Sequence, residues 1–214
     1  MLNPQVPVAR EGYPFIGFAA LCSVTSACLG FTLLTLLLLT ATAFILYFFR
    51  DPERFTPEDP HLLVSPADGR VILVDKVEDH LFTGAEAWKI SIFMNVFNVH
   101  VNRIPISGRV TKILYKPGRF YSADSIRGGL ENEYCAAIIQ TDREKSIAVV
   151  QVAGLIARRI VCWLENGDDV TTGKRFGLIR FGSRVDLYLP VETQITVNNG
   201  DRVRAGETPL GHLN

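Results

Sequence analysis

The chain has 214 residues, with 22 Lys and Arg against 22 Asp and Glu, so its formal net charge is zero, and hydrophobic residues make up 48% of it. That fraction is typical of a globular protein and excludes a disordered one, and a neutral chain has no global attraction to nucleic acid. The sequence contains no low-complexity tract or heptad run, which excludes collagen and coiled coils. Its length leaves room for one domain of ordinary size and an appendage.

The N-terminal part of the chain carries no charged residue from Gly12 through Phe49. One straight helix over this stretch would measure about 57 Å, whereas the core of a bilayer is roughly 30 Å thick. The stretch therefore predicts a membrane-anchoring helical segment over residues 1–50, most simply a two-helix hairpin that breaks near Leu29-Gly30. A single membrane crossing is the alternative.

The residues that flank this segment bear on targeting and orientation. Only Arg10 precedes the apolar run, and the run is too long for the core of a cleaved secretory signal, so we reject that interpretation. Arg50 and Arg54 follow the run, so arginines stand at both ends. Because positive residues mark the cytoplasmic side of membrane helices, they predict a cell-membrane protein with the rest of the chain on the cytoplasmic side.

The four cysteines indicate neither a disulfide framework nor a zinc site. Cys22 and Cys28 lie in the apolar segment, and Cys135 and Cys162 lie in apolar strand-like runs. The sequence has no CxxC pair, and cysteine is often a small buried hydrophobe. No group of His and carboxylate residues has metal-ligand spacing either, so we expect no metal.

Residues 51–214 have the sequence pattern of a β domain. Asp51-Pro52 ends the helical segment, and the proline-containing stretch through Pro60 predicts a linker. Short runs rich in Val and Ile follow, separated by Gly, Pro and Asp, as in a mostly antiparallel barrel or sandwich. The runs are Val71–Val74, Lys89–Phe93, Val110–Tyr115, Cys135–Thr141, Ile147–Leu155, Ile160–Leu164, Val185–Leu189 and Gln194–Val197.

One internal repeat refines this expectation. Asn166–Gly173 matches Asn199–Gly206 at an offset of 33 residues, and each copy begins with Asn-Gly, which favours a tight turn. Two copies are too few for a solenoid. They suit the two quasi-symmetric halves of a barrel-sandwich hybrid, the shape of lipoyl and biotinyl carrier domains, so the predicted fold class is mainly β and barrel-sandwich-hybrid-like.

Three places in this domain carry residues suited to chemistry. They are Asp68 in the segment Ser65–Val71, His100 in an apolar strand-like run, and Ser183 in a Gly-Ser pair between strands. Each has an ordinary structural explanation by itself: a turn, a buried structural histidine and a bend. Together, Asp, His and Ser would form a triad in which His takes the Ser proton and Asp orients the His. The absence of a G-x-S-x-G elbow argues against an ordinary α/β hydrolase.

The order of these motifs resembles a known family. The set Ser65–Val71, Phe93–Pro105 with His100, and Phe181-Gly182-Ser183 is similar to the phosphatidylserine decarboxylase family. It resembles the short, membrane-attached branch with a Gly-Ser cleavage motif, over most of residues 50–214. Each motif alone is common, and the resemblance rests on their combination and order.

The resemblance implies a proenzyme that cuts itself between Gly182 and Ser183, into associated chains of residues 1–182 and 183–214. Ser183 would attack the Gly182 carbonyl, His100 would accept the Ser183 proton, and Asp68 would hold and polarise His100. β-Elimination would then leave Gly182 as a carboxyl end and convert Ser183 to a covalent pyruvoyl cofactor.

The resemblance also implies the reaction. The pyruvoyl carbonyl would form a Schiff base with the amine of phosphatidylserine and accept electrons as CO₂ leaves, so that phosphatidylethanolamine is released. Longer relatives carry a second histidine where this chain has Phe97, so His100 itself or an ordered water is expected to protonate the carbanion. Basic residues near the site are candidates to face anionic lipid, or are an ordinary solvated strand surface: Arg103, Arg109, Lys112, Lys116 and Arg119.

Two other classes of protein stay open from the residues. One is a membrane-tethered adaptor or carrier with a lipoyl-like domain, for which an uncut chain would argue, although neither repeat has a lysine at its tip. The other is a membrane-bound serine hydrolase, which would label at Ser183 while the chain stays whole. Homo-oligomerisation and the preference for acyl or ether lipid are left open.

Overall fold

The computed structural model describes residues 7–119, 121–122, 131–154, 159–180 and 183–213. It divides into two compact units, Met1–Glu53 and Arg54–Asn214.

The N-terminal unit is a pair of α-helices preceded by a short 3-10 turn. Helix α1 spans Tyr13–Cys28 and helix α2 spans Thr32–Phe48. Gly30 lies between them with φ of 77°, in the left-handed region that glycine adopts without a steric penalty. The chain therefore reverses close to Leu29-Gly30, and the two helices pack against each other.

Small polar residues hold the two helices together. The hydroxyl oxygens of Ser23 and Thr42 lie 3.3 Å apart, and Thr35 donates a hydrogen bond of 3.1 Å to Ser26. Large apolar side chains point outward instead: Leu33 is 84% exposed and Phe18 is 71% exposed. Among the described residues, no helix combines the length and hydropathy that a membrane crossing requires.

The second unit is built from short strands. Those described are β1 (Leu62–Val64), β2 (Gly69–Asp79), β3 (Ala85–Met94), β4 (Val101–Arg103), β5 (Gly108–Lys116), β6 (Tyr134–Gln140), β7 (Ser146–Ala153), β8 (Ile160–Cys162), β9 (Asp169–Val170), β10 (Arg175–Ile179), β11 (Ser183–Pro190), β12 (Gln194–Ile195), β13 (Arg202–Val203) and β14 (Pro209–His212). All eight predicted runs lie within or overlap strands, so the mainly β prediction is confirmed.

The strands form one large sheet and two small ones. The large sheet is curled like a half-barrel and has the order β13-β2-β3-β11-β7-β6-β5-β9. The small sheets have the orders β1-β14-β12 and β4-β10-β8, and the named strand pairs are antiparallel. The observed architecture is thus mainly β with a curled, half-barrel sheet and two small sheets, and the finer assignment to a barrel-sandwich hybrid stays a prediction.

One apolar cluster joins all three sheets. It includes Ile92 of the large sheet, Leu63 of one small sheet and Phe176 of the other, each at most 1% exposed. Strand β7 is buried on both faces, because its alternate residues pack into a second cluster with β6. The core therefore lies between the sheets, and β11 runs through the middle of the large one.

The repeat noted in the sequence marks a quasi-symmetry of the large sheet. Gly167 donates a hydrogen bond of 2.7 Å to the carbonyl of Val110, and Gly200 donates one of 2.8 Å to the carbonyl of Val71. These two glycines have φ of 95° and 98°. Each copy supplies a two-residue strand, β9 or β13, at one end of the sheet. The two copies are thus structurally equivalent.

A second repeat, which the sequence analysis missed, faces the first. Pro66–Val71 and Pro105–Val110 share the pattern Pro-x-x-Gly-Arg-Val. In both, the glycine lies against the backbone of the neighbouring strand: a Cβ on Gly69 would lie 2.2 Å from the Phe93 carbonyl oxygen, and one on Gly108 would lie 2.3 Å from that of Gln140. The close strand approach explains why both halves have glycine there.

We predict that Gly108→Ala lowers the free energy of unfolding by about 1–3 kcal/mol, because a backbone carbonyl cannot retreat from the added methyl group. Each kcal/mol should lower the midpoint of thermal denaturation by about 2–4 °C in a chain of this size. Circular dichroism melts measure the effect. Gly17→Ala is the control, since a Cβ there meets nothing within 4 Å. Equal midpoints for Gly108→Ala and the unaltered protein would contradict the argument.

Candidate active site

Ser183 is the first residue of β11, in the middle of the large sheet. It pairs with Met94 at the end of β3 and with Ala153 at the end of β7. Its side chain is completely buried, and its Oγ donates to the Met94 Sδ at 3.5 Å. A thioether is a weak acceptor, so this contact holds the hydroxyl only loosely.

His100 precedes β4 and is 2% exposed. Its Nδ1 lies 3.0 Å from the carbonyl oxygen of Asn98. Its own carbonyl accepts a hydrogen bond of 3.4 Å from the backbone of Ile179, in the strand that leads toward Ser183. The fold therefore brings the histidine segment alongside the chain just before the candidate nucleophile.

Asp68 is bound on two sides. Arg54 Nη2 lies 2.8 and 3.1 Å from the two carboxylate oxygens, and the backbone N–H of Ala205 donates to Oδ1 at 2.8 Å. Arg54 also pairs with Glu207 at 3.1 Å, and its side chain is only 9% exposed. Among the described residues, these are the partners of the Asp68 carboxylate, and the hydrogen bond to His100 that the predicted triad calls for is not one of them.

The quasi-symmetry explains one of these contacts. Ser107 occupies in the second repeat the position that Asp68 has in the first. Its Oγ accepts a hydrogen bond of 3.0 Å from the backbone of Thr172, which is the counterpart of Ala205. Asp68 therefore shares with Ser107 the structural task of holding a repeat loop. What distinguishes Asp68 is its charge and its pairing with Arg54.

A buried polar cluster links the three motifs. The carbonyl of Pro66, two residues before Asp68, accepts a hydrogen bond of 2.9 Å from the backbone of Arg103 and a longer one, 3.4 Å, from Asn102 Nδ2. The same Nδ2 lies 3.7 Å from the Met94 sulfur that contacts Ser183. Asn102 thus contacts the segment that carries Asp68 directly and is connected to Ser183 through Met94.

Sequence reasoning missed three residues of this cluster: Met94, Asn102 and Gln151. Gln151 Nε2 donates to Asn102 Oδ1 at 2.9 Å, and all three side chains are fully buried. The available signal was a polar residue within an otherwise apolar strand, as in Val149–Ala153. Such residues are seldom buried without a hydrogen-bonding or functional reason.

Other expected residues have different outcomes. Gly182 lies outside the described residues. Phe97 is 62% exposed. Of the basic residues, Arg103 is buried and donates a hydrogen bond of 2.9 Å to the carbonyl of Gly173, so it is not part of a solvated strand surface. Arg109 is exposed beside Asp169.

Comparison with known proteins identifies the class. A family model described as phosphatidylserine decarboxylase matches residues 41–211. A protein of Desulfotalea psychrophila named phosphatidylserine decarboxylase proenzyme is 63% identical over 213 residues, which is 100% of each chain. Proteins of the same name from Syntrophus aciditrophicus and Geobacter metallireducens are both 52% identical, over 95% and 100% of this chain and 96% and 100% of theirs.

The fold, the buried serine and these matches define a carboxy-lyase of the kind made as a proenzyme. The chain belongs to the phosphatidylserine decarboxylase family. Enzymes of this family depend on a pyruvoyl group. Ser183 fits such a group, because its side chain is fully buried at the centre of the sheet, next to the uncharged atoms of Met94 and away from bulk water.

A pair of thiols lies close to this cluster. Cys135 pairs with Gln151 across neighbouring strands, and Cys162 pairs with Gly177, whose own backbone lies against the Gln151 side chain. The hydrogen bond between the two thiols lowers the pKa of Cys162 to about 7, although burial opposes the shift. The same hydrogen bond, aided by burial, raises the pKa of Cys135.

We predict that alkylation of Cys162 by iodoacetamide accelerates as the pH rises through about 7, because the thiolate is the nucleophile and its pKa is lowered to that value. Removing the hydrogen bond by Cys135→Ala should move the midpoint of the rate profile to higher pH. Peptide mass spectrometry measures the rates, with N-acetylcysteine added to each sample as the reference thiol. A midpoint that Cys135→Ala leaves in place would contradict the assignment.

Proposed function

We propose that this chain is a precursor that cleaves itself between Gly182 and Ser183 and then decarboxylates phosphatidylserine to phosphatidylethanolamine, with Ser183 as the source of the pyruvoyl group. The observation that carries the proposal is the placement of Ser183. It is a wholly buried hydroxyl at the start of a central strand, in contact with a polar cluster that also joins the Asp68 and His100 segments.

His100 is the proposed base for the first step. Among the described residues, the partner of the Ser183 hydroxyl is the weakly accepting Met94 sulfur, so the hydroxyl can turn toward an imidazole without losing a strong hydrogen bond to them. Its oxygen adds to the Gly182 carbonyl carbon, the Ser183 nitrogen leaves with a proton, and an ester forms. Loss of the Ser183 α-proton then breaks the bond from Cβ to the ester oxygen, which releases the Gly182 carboxylate and leaves a C=C bond beside the Ser183 nitrogen. This group rearranges to an imine, and water hydrolyses its C=N bond to give the pyruvoyl carbonyl and ammonia.

Asp68 is proposed to orient His100 and to stabilise its protonated form. A carboxylate offers about four acceptor positions, and the contacts to Arg54 and Ala205 occupy three of them. Among the described residues nothing occupies the fourth position, and the His100 Nδ1–H would reach it by turning from the Asn98 carbonyl oxygen, 3.0 Å away, which leaves Nε2 to take the Ser183 proton. The difference from Ser107, its uncharged counterpart in the other repeat, supports a role for the charge beyond holding the loop.

The pyruvoyl group supplies an electron sink for the substrate amine, as pyridoxal cofactors do elsewhere. The residues around it would contribute burial and orientation. Met94 and the adjoining strand ends would exclude water from the reacting carbon, and Asn102 and Gln151 would present buried amide side chains beside it. His100 is the proposed proton donor after CO₂ leaves. Phe97, which stands where longer relatives have a second histidine, is exposed and has no proton to donate.

We also propose that the helix pair holds the protein at the cell membrane, with the catalytic unit on the cytoplasmic side. The support is the outward exposure of large apolar side chains such as Leu33, Leu37 and Phe18. Arginines at both ends of the pair favour the cytoplasmic side. A membrane-held enzyme meets a diacyl lipid where that lipid resides.

The proposal predicts that Ser183→Ala leaves the chain uncut. Without the Oγ there is no nucleophile for the Gly182 carbonyl, so intact mass spectrometry should show one species of full length and decarboxylation should be absent. The unaltered protein should give a fragment of residues 183–214 that hydroxylamine shifts in mass. Ser91→Ala, at another buried serine of the neighbouring strand, is the control and should be processed normally. An uncut wild-type chain would favour the adaptor interpretation.

A second prediction separates the charge of Asp68 from its structural contact. Asp68→Asn keeps an oxygen for the Ala205 N–H but loses the charge, and it should slow self-cleavage by 100-fold or more, as should His100→Ala. Ser107→Ala removes the equivalent contact in the other repeat. Its cleavage rate should stay within about threefold of the rate of the unaltered protein, even if the substitution lowers stability. Quantifying uncut chain over time by denaturing gel electrophoresis checks this. Equal rates for Asp68→Asn and the unaltered protein would limit Asp68 to a structural role.

A further inference from the structure

The buried amide pair Asn102 and Gln151 has no assigned role. Both side chains are completely buried, as are Met94 and Ser183, which complete the cluster. Asn102 Nδ2 lies 3.7 Å from the Met94 sulfur and Asn102 Oδ1 accepts from Gln151 at 2.9 Å. A cluster of this kind within an apolar core lowers stability unless its polar atoms are satisfied.

The hydrogen bonds determine which way each amide points. The Pro66 carbonyl is only an acceptor, so the Asn102 amide turns its NH₂ group toward it. Asn102 Oδ1 then faces Gln151, and Gln151 must donate to it through Nε2. This leaves Gln151 Oε1 as an acceptor that is buried and has no hydrogen-bond partner among the residues that the structure describes.

Gln151 lies close to Ser183 in the large sheet. Ser183 is opposite Ala153 in the sheet, and Gln151 is the next residue of β7 on the same face. Diagonal neighbours of this kind are about 7–8 Å apart at their Cα atoms, within reach of a glutamine side chain. Asn102 bridges the two sides, because its amide contacts Met94 on β3 and Gln151 on β7, the two strands that flank Ser183.

We propose that Gln151 Oε1 accepts an N–H of the substrate's amino group and that Asn102 is the positioning residue that aims it. The inference rests on the proposed function, which brings the substrate amine to the carbon derived from Ser183. The carboxylate and phosphate of phosphatidylserine only accept hydrogen bonds, whereas its amine donates them. A buried acceptor with no partner among the described residues, on a side chain within reach of this place, therefore suits the amine and not the acidic groups.

The test uses the processed full-length enzyme and a readout other than turnover. Hydroxylamine first counts the reactive carbonyl on the fragment of residues 183–214 by intact mass. Phosphatidylserine and phosphatidylethanolamine in detergent micelles are then each captured on that carbonyl with sodium cyanoborohydride, and the mass adduct is quantified over time. Both lipids carry the amine, but only phosphatidylserine carries the carboxylate.

We expect Gln151→Met to be processed and to react fully with hydroxylamine, but to capture both lipids at least tenfold more slowly. Gln151→Glu keeps an acceptor oxygen, and when its carboxyl group is protonated it also still donates to Asn102. At a pH where that holds, its rate of capture should lie within about threefold of the rate of the unaltered enzyme. Gln140→Met, at a partly exposed glutamine of β6, is the control and should not differ from the unaltered enzyme. Asn102→Leu should slow capture as well, and Gln151→Met should add little to it, because Asn102 acts through Gln151.

Three results would overturn the proposal. One is undiminished capture of both lipids by Gln151→Met. The second is a loss confined to phosphatidylserine, which would assign Gln151 to the carboxylate. The third is a loss of hydroxylamine reactivity as large as the loss of lipid capture, which would make the residue structural. If Gln151→Met is not processed, Gln151→Asn, which withdraws the same oxygen by one methylene, decides between these results. A wild-type chain without a reactive fragment would instead overturn the proposed function, and this inference with it.

Discussion

The rest of this structure depends on the pairing of β11 in the middle of the large sheet. The strand pairs with β3 from Ser183 to Pro190 and with β7 from Ser183 to Tyr188. Because both neighbours bind it along its length, a break in the chain just before Ser183 would leave the C-terminal piece held in place. The same pairing fixes Ser183 beside Met94 and Ala153 and buries its side chain. One register thus provides both the position of the proposed nucleophile and a means of keeping two chains together after the proposed cut.

The cluster around Ser183 has the composition of a site and not of a core. Apolar residues at both Asn102 and Gln151 would leave no amide group to pair, whereas Gln151 Oε1 is a buried acceptor with no partner among the described residues, which costs about 1–3 kcal/mol. The protein retains Ser, Asn and Gln there, around a polarizable methionine that makes only weak contacts to their polar groups. Weak contacts to the sulfur would let the Ser183 hydroxyl exchange partners in the proposed reaction, while the hydrogen bond of 2.9 Å between the two amides keeps them oriented.

The two halves of the fold are quasi-symmetric, but the candidate site occupies only one of them. Two Pro-x-x-Gly-Arg-Val segments and two Asn-Gly loops build equivalent halves, and in each half one side chain holds the opposing loop. In one half that side chain is Ser107, a neutral residue on the side away from Ser183. In the other it is Asp68, whose charge is balanced by Arg54. A fold that duplicates a loop contact can thus retain the contact in both halves and place a charge in only one.

Much of this could be predicted from the sequence, and the reason is local. The apolar runs, the Asn-Gly turns and the break at Gly30 depend on residues near one another in the chain, so they determined the strands, the repeat and the helix pair. The order of motifs determined the family. Short strands such as β4 and β10 carry too few residues to show a period, and they form only because the large sheet covers them. The Asp68–Arg54 pair and the chain of contacts from Pro66 through Asn102 to Gln151 and Ser183 join residues far apart in sequence. Only the tertiary structure decided them, because which buried polar atom meets which depends on how three sheets pack.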